Sequence, residues 1–96
     1  MELVINYDFN GVEKTLKFEV AKITENYHNN YLNLNITTFE KVDDLILFEL
    51  TKSTPIKVIY GEQIFENYQY FAEIIKRYYS TEEKNSQIII NLRKYF

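Results

Sequence analysis

The chain contains no cysteine and no tryptophan, and it has only two glycines and one proline among 96 residues. Without cysteine, neither a disulfide nor a thiolate metal site can hold the fold together. No apolar run approaches the roughly 20 residues needed to span a bilayer. The residues after Met1 lack the basic and apolar segments of a secretory leader. These absences predict a cytoplasmic protein with no membrane partner.

Apolar residues nevertheless make up 46% of the chain, and aromatic residues 17%. A chain of this length buries roughly 60–65% of the surface that its unfolded form exposes, which is enough for one modest core. We therefore expect a single domain over residues 1–96. The net charge of −3 argues against the basic surface of a general nucleic-acid binder, so nucleic acid is not an expected partner.

The Asn10-Gly11 pair is the most specific local signal. It suits a two-residue type I′ turn, in which both central residues need a positive φ. With that turn, the expected cross-strand partners are Phe9 and Val12, Tyr7 and Lys14, Ile5 and Leu16, and Leu3 and Phe18. The apolar members share one face, so the hydrophobic pattern and the turn chemistry agree on the register.

The second strand of this hairpin is expected to run to about Val20. The alternation of apolar and polar residues along this strand shifts by one position at Ala21, which we interpret as a bulge or bend. Alternation of Leu32, Leu34 and Ile36 with polar residues predicts a third strand. We therefore expect a three-stranded meander over residues 2–37.

A capping-box spacing follows, with Thr37 as the expected cap and Glu40 three residues later. A broad apolar stripe at helical spacing then predicts the single helix, over residues 39–51. Its members are Phe39, Val42, Leu45, Ile46, Glu49 and Leu50. The alternative is a buried strand over 45–50, because Leu47 and Phe48 widen the apolar face.

After Pro55, residues 56–60 are expected to form a strand, and Gly61-Glu62 a type II′ turn. The expected pairs across that turn are Ile59 and Ile64, Val58 and Phe65, and Lys57 and Glu66. The following strand is too long to be flat, so we expect a bend over Tyr70–Glu73. A polar turn at 80–86 and a last strand at 87–95 complete the chain.

These elements predict an α+β fold that is mainly β, with the antiparallel order β-β-β-α-β-β-β and a barrel-like or sandwich-like shape. The two halves also resemble each other: Val4-Ile5 and Val58-Ile59 are 54 residues apart. This similarity indicates either an internal duplication or two meanders of similar composition, and both readings predict the same order of elements.

Nothing in the sequence forms a catalytic constellation. His28 is the only histidine, and it lies in an Asn-rich turn. Asp43 and Asp44 are adjacent, so on a helix they point about 100° apart and do not form an acid–base pair. We expect no enzyme, no cofactor and no metal.

The chain has nine tyrosines, which are more than one small core needs. Tyrosine is enriched at interfaces because it joins a rigid apolar ring to a polar tip. The candidate partner-binding residues are Tyr68, Tyr70, Phe71, Tyr78 and Tyr79. The alternative is that half of the surplus tyrosines cover the core.

The segment from Phe39 to Leu92 resembles small β-rich proteins encoded by phages and prophages of low-GC bacteria. The resemblance is a pattern of helix, short strand, glycine turn, tyrosine-containing strand and apolar strand. Here its parts are Val42–Leu50, Ile56–Tyr60, Gly61, Gln63–Phe71 and Ile88–Leu92. Such proteins are often associated with the tail, the baseplate or the virion, so the resemblance implies a structural or binding role.

The sequence therefore predicts a non-enzymatic structural or protein-binding module that associates with itself or with another assembly component. It would be cytoplasmic, or virion-associated if it comes from a phage. One alternative is a small acidic inhibitor of a host or phage enzyme. Another is a carbohydrate-binding module.

Overall fold

A computed structural model describes residues 1–79 and 84–96, and side chains within 74–86 are outside the description. The chain forms seven strands and one helix, and the predicted class, mainly antiparallel β with one helix, is confirmed. The elements in chain order are β1 (Leu3–Phe9), β2 (Val12–Phe18), β3 (Lys22–Tyr27), β4 (Tyr31–Thr38), α1 (Asp44–Thr51), β5 (Ile56–Tyr60), β6 (Gln63–Tyr79) and β7 (Lys84–Tyr95).

The first hairpin has the register that Asn10-Gly11 predicts. Both turn residues have positive φ, 54° for Asn10 and 79° for Gly11. All four expected pairs are present, from Phe9 opposite Val12 at the turn to Leu3 opposite Phe18 at the far end. The Gly11 N–H also donates to the Asp8 carboxylate at 3.0 Å, which stabilises the turn.

The strands follow the order β2-β1-β5-β6-β7-β4-β3, and β6 belongs to two groups. Residues 63–68 of β6 pair with β5, which completes half-sheet A with β2 and β1. Residues 69–79 of β6 pair with β7, which completes half-sheet B with β4 and β3. One long strand thus joins the two half-sheets on one side of the molecule.

On the other side, the half-sheets are joined by only three residues, 19–21, between β2 and β3. Four Cα–Cα steps can span at most about 14 Å. The outer strands of a flat seven-stranded sheet would be roughly 29 Å apart at normal strand spacing. The sheet must therefore roll until β2 and β3 meet at a corner, which produces the expected barrel-like or sandwich-like shape.

Rolling places the inner faces of both half-sheets against one core. Half-sheet A contributes Leu3, Ile5 and Val58, and half-sheet B contributes Leu34, Ile36, Ile90 and Leu92, all of them fully buried. These residues alternate along their strands with outward-facing neighbours, as in any half-buried sheet. A single cluster therefore stabilises both half-sheets together.

The bend in β6 occurs where the sequence predicts it. The register with β7 shifts between Tyr70 and Ala72, so Phe71 is an extra residue in the strand. A second irregularity was not expected: the register with β5 shifts near Asn67, whose φ is 64°. Bulges of this kind increase strand twist, which lets β6 pass from one half-sheet to the other.

The second hairpin also confirms its predicted turn. Gly61 has a φ of 61°, and Ile59 lies opposite Ile64 and Val58 opposite Phe65. The bulge removes Lys57 from the ladder position opposite Glu66, but their side chains still form an exposed ion pair with an N–O distance of 3.6 Å. The described part of the last strand begins at Lys84, earlier than predicted, and residues 80–83 of the expected polar turn lie outside the description.

The expected meander over residues 2–37 is wrong in its connectivity. The parity shift at Ala21 is not a bulge within one strand: β2 ends at Phe18, and the chain then crosses to the other half-sheet as β3. Four strands therefore precede the helix instead of three. Only the tertiary structure distinguishes the two cases, because a bulge and a corner produce the same change of parity.

The predicted capping box is also wrong, because Thr37 and Thr38 are the last residues of β4. The Thr38 hydroxyl donates to the Val20 carbonyl at 3.0 Å, and the Glu40 carboxylate accepts from the Val20 N–H at 3.0 Å. The Tyr60 hydroxyl donates to the Ala21 carbonyl at 3.1 Å. These three bonds satisfy both backbone groups of Val20 and the carbonyl of Ala21 at the corner between β2 and β3.

The helix ends at Thr51 as predicted but begins at Asp44, which is five residues later than expected. The alternative strand over 45–50 is therefore excluded. The buried face also differs from the predicted stripe, since Leu47 and Leu50 are buried, whereas Leu45 is 66% exposed. Asp44 lies in the first turn, where a carboxylate interacts favourably with the helix dipole.

A buried carboxylate attaches the helix to the first hairpin. Glu49 accepts a hydrogen bond from the Tyr7 hydroxyl at 3.0 Å and contacts Lys14 Nζ at 2.6 Å. The hydrogen bond from Lys14 contributes most to holding the pKa of Glu49 below its usual value. The helix therefore covers inward-facing side chains near the Asn10-Gly11 turn.

The strand order is symmetric between the two halves of the chain, with β1 corresponding to β5 and β4 to β7. In the β1–β5 ladder, Val4 lies opposite Ile59 and Ile5 lies opposite Val58. Val4 and Val58 are thus equivalent positions, as are Ile5 and Ile59, and each pair has the 54-residue spacing seen in the sequence. β4 pairs with β7 about Asn35 and Asn91. The β2-corner-β3 segment thus occupies the place that the continuous β6 takes in the other half, as an internal duplication would predict.

We predict that Thr38→Val destabilises the protein by about 1–3 kcal/mol, because the corner carbonyl loses its buried donor. Valine keeps the shape and the preference for strands, so the lost hydroxyl accounts for the effect. The matched control is Thr37→Val, on the outward face of the same strand, which should stay within about 0.5 kcal/mol. Denaturant unfolding followed by circular dichroism measures both. Equal effects for the two variants would contradict this account of the corner.

Candidate binding face

The outward side of half-sheet B combines aromatic, amide and basic side chains, and we call it the B face. Its members come from β3, β4 and β7 and from the start of the second part of β6. They are Lys22, Thr24, Asn26, Tyr31, Asn33, Asn35, Thr37, Gln69, Phe71, Ala72, Ile89, Asn91, Arg93 and Tyr95. They alternate with the buried Leu34, Ile36, Ile90 and Leu92, so the pleat of the sheet presents them outward.

Arg93 lies at the centre of this face, between two aromatic rings. Its guanidinium carbon is 3.3 Å from the ring centre of Phe71 and 4.3 Å from that of Tyr31. Its Nε donates to the Asn33 side-chain oxygen at 3.4 Å. Stacking and this hydrogen bond together hold the guanidinium in one orientation.

The bulge in β6 is what brings Phe71 to this position. In a regular strand its neighbours Tyr70 and Ala72 would point to the same side, opposite to Phe71. Instead Tyr70 pairs with the inward Leu92, and Ala72 pairs with the outward Asn91. The extra residue therefore extends outward over Arg93 with half of its surface exposed. Bulges commonly redirect a side chain in this way.

A row of aromatic rings borders Arg93 at one end of the face. Tyr31 stacks on His28 with ring centres 4.5 Å apart and packs against Tyr95 at 5.8 Å. Tyr95 is 51% exposed. On the other side of Arg93, the amide of Asn33 donates to that of Asn35 at 2.7 Å. The B face thus offers flat apolar rings beside amide hydrogen-bonding groups.

The charges on the B face are all of one sign. Among its described side chains, Arg93 and Lys22 are the charged members, and none is a carboxylate. In the described part of the chain, the ion pairs are those of Lys14 with Glu49 and of Lys57 with Glu66. Arg93 therefore presents a positive charge without a described carboxylate partner, on a chain whose net charge is −3.

The five predicted partner-binding residues have four different outcomes. Phe71 belongs to the B face. Tyr68 does not, because it is 2% exposed and its hydroxyl bonds Glu25 at 3.4 Å, so its prediction as a surface residue is wrong. Tyr70 is half-buried against the core. The side chains of Tyr78 and Tyr79 lie outside the described residues.

Sequence reasoning did not select Arg93, and it counted Tyr31 and Tyr95 only among the surplus tyrosines. A signal was available, since β7 alternates inward Ile88, Ile90 and Leu92 with outward side chains. That alternation places Arg93 and Tyr95 on the outer surface. It does not predict that Tyr31 and Phe71 enclose the guanidinium, because this depends on the pairing of β4, β7 and β6.

Other features offer no second site. Among the described residues, no group of three or more His, Asp or Glu side chains lies close enough to hold a metal ion, and no helix is long and apolar enough to cross a membrane. Within the described part of the chain, the buried carboxylate is that of Glu49, which already accepts from Tyr7 and Lys14. These contacts explain its burial by its role in attaching the helix.

No protein-family model, no curated protein and no solved structure matches this chain. The resemblance to phage and prophage proteins therefore stays a prediction.

We predict that alkaline pH unfolds the protein between about pH 10 and pH 12. Burial is the largest cause that raises the pKa of Tyr7, Tyr68 and Tyr70 from 10.0 to about 12. The neutral form is favoured when folded, so the stabilisation is complete below pH 10 and is lost as the pH rises toward 12. Tyrosinate absorbance and circular dichroism, measured over the same titration, check this.

The matched variant is Tyr7→Phe, which cannot ionise at this position. Its loss of stability relative to the wild type should shrink as the pH passes 10. A difference that stays constant up to pH 12 would contradict the ionisation of Tyr7 as a cause.

Proposed function

We propose that this protein is a non-enzymatic, protein-binding module that associates with further copies of itself through the B face. The observation that carries the proposal is the Arg93 guanidinium, held between Tyr31 and Phe71 on an exposed sheet surface. Arginine and tyrosine are the residues most enriched at the energetic centres of protein interfaces. The B face concentrates them at one point.

The exposure of these side chains supports the proposal. Phe71 is 50% exposed and Tyr95 is 51% exposed, and both flank Arg93. Covering such rings removes apolar surface from water, which is worth about 25 cal/mol per Å². The polar rows on the same face supply hydrogen-bonding groups around this apolar centre, as in protein interfaces generally.

The rigidity of Arg93 favours binding as well. An arginine that is free in solution loses side-chain entropy when a partner immobilises it, at about 0.5–1.5 kcal/mol for such a residue. Here the two rings and the Asn33 oxygen already fix the guanidinium. This loss of side-chain entropy has already occurred on folding, so it does not reduce the affinity for a partner.

The test is the solution mass by light scattering over a wide range of protein concentration. We expect the wild type to form oligomers whose population rises with concentration, and Arg93→Ala to remain monomeric. The matched control is Lys52→Ala, which removes a cation whose Nζ lies 5.6 Å from the Phe48 ring centre, away from the B face. That control should associate like the wild type.

A wild type that stays at 11.6 kDa at every concentration would exclude self-association. Association that is equal in the wild type and in Arg93→Ala would exclude the B face as its site. Circular dichroism of each variant separates a loss of binding from a loss of folding.

A specific observation also favours a second function, carbohydrate binding. The half-buried ring of Tyr31 and the exposed ring of Tyr95 lie on the outward side of half-sheet B, as do the Asn33 and Asn35 amides. Sugars combine apolar ring faces with hydroxyl groups, so a site for them needs both kinds of side chain. We expect tyrosine fluorescence to change when cello- or chito-oligosaccharides are added, if this reading is correct. An unchanged spectrum in Tyr95→Ala, alongside a response in the wild type, would locate the site.

A further inference from the structure

We infer that copies of this chain associate head to tail, with the B face of one copy against the outer face of half-sheet A of the next. In this contact Arg93 pairs with the carboxylates of Asp8 and Glu13 of the neighbouring copy. The inference rests on the proposed self-association and specifies its geometry.

The two outer faces of the molecule are different in charge. The B face has Arg93 and Lys22 and no described carboxylate. The outward positions of half-sheet A carry three acids and two bases, which are Asp8, Glu13, Glu66, Lys17 and Lys57. One face is therefore positive and the other is negative by one unit.

The negative charge on half-sheet A is concentrated at one place. Lys57 pairs with Glu66 at 3.6 Å, which neutralises one acid. Asp8 lies directly opposite Glu13 in the β1–β2 ladder, and both are exposed. Like charges directly opposite each other destabilise a strand pair, and no described cation forms an ion pair with either. A cation from outside the chain would relieve this repulsion.

Arg93 is suited to supply that cation. Its guanidinium lies close to the rings of Phe71 and Tyr31, which come from the strands on either side of β7, and its Nε donates to Asn33. No described residue accepts from its two terminal nitrogens. That edge of the guanidinium has the fork geometry that binds a carboxylate through two parallel hydrogen bonds.

Symmetry then favours one arrangement over the others. In an isologous dimer the same patch meets itself. Two B faces would bring Arg93 toward a surface with no described carboxylate, and two outer faces of half-sheet A would bring the Asp8–Glu13 pairs together. Only the head-to-tail contact places opposite charges against each other. Such a contact is heterologous, so it produces chains or rings.

The experiment uses two full-length variants that each disable one face. Arg93→Glu reverses the charge at the B face. Glu13→Arg reverses it at half-sheet A, and it leaves Asp8 to accept from the Gly11 N–H at 3.0 Å. We expect each variant alone to associate at least about tenfold more weakly than the wild type, because each contact then opposes like charges.

The decisive sample is an equimolar mixture of the two variants. The intact outer face of Arg93→Glu can still bind the intact B face of Glu13→Arg. The two reversed side chains are also opposite in charge, so the second contact can form as well. We therefore expect the mixture to form assemblies larger than either variant forms alone, measured as solution mass by sedimentation. The matched control is a mixture of Lys52→Glu and the wild type, which should form the same assemblies as the wild type alone.

Each other result overturns the inference. Assembly of Glu13→Arg at wild-type strength would exclude the acidic face, and monomers in the mixture would exclude the complementary contact. If Glu13→Arg fails to fold, Glu13→Gln takes its place, and association unchanged by that variant likewise rejects the contact. A wild type that is monomeric throughout contradicts the proposed function, and the head-to-tail contact with it. If the wild type associates and Glu13→Arg associates equally strongly, the head-to-tail geometry is rejected while self-association stands.

Discussion

The structure depends on the three residues that connect β2 to β3. These two strands are the outer strands of the sheet, and a connection of that length can exist only if the sheet is rolled. Rolling brings the inner faces of the two half-sheets onto a single core, so the burial of Leu34 and Ile90 depends on the same closure as that of Ile5 and Val58. The hydrogen bonds from Thr38, Glu40 and Tyr60 to the corner are the local stabilisation of this constraint.

On the opposite side of the molecule, a continuous strand connects the two half-sheets. There β6 passes from half-sheet A to half-sheet B, and its irregularities at Asn67 and Phe71 allow the change of direction. The bulge at Phe71 also places a ring over Arg93. One extra residue therefore serves both the closure of the fold and the candidate binding face. For this reason a change of register at Phe71 would alter both stability and binding.

The chemical difference between the outer faces follows from the composition of the strands. Half-sheet A presents acids and bases that partly pair on its own surface, as Lys57 and Glu66 do. The described side chains of the B face instead present amides, aromatic rings and unpaired basic groups. A protein with a net charge of −3 that keeps carboxylates away from one face has a surface that suits an acidic partner. In our proposal, that partner is the opposite face of another copy.

The sequence by itself determined the local features: the Asn10-Gly11 and Gly61 turns, the register of the first hairpin, the two pairs of the second hairpin nearest its turn, the end of the helix and the bend near Phe71. These depend on backbone conformation and on neighbouring residues, which a sequence pattern records directly. Only the tertiary structure decided that the change of alternation at Ala21 is a corner, and that Thr38 and Glu40 bind this corner instead of capping the helix. It also decided that Tyr68 is buried and that the Arg93 guanidinium lies against aromatic rings. Each of these depends on which distant strands become neighbours. Alternation along one strand can tell inward from outward positions, but it carries no information about the strand that pairs beside it.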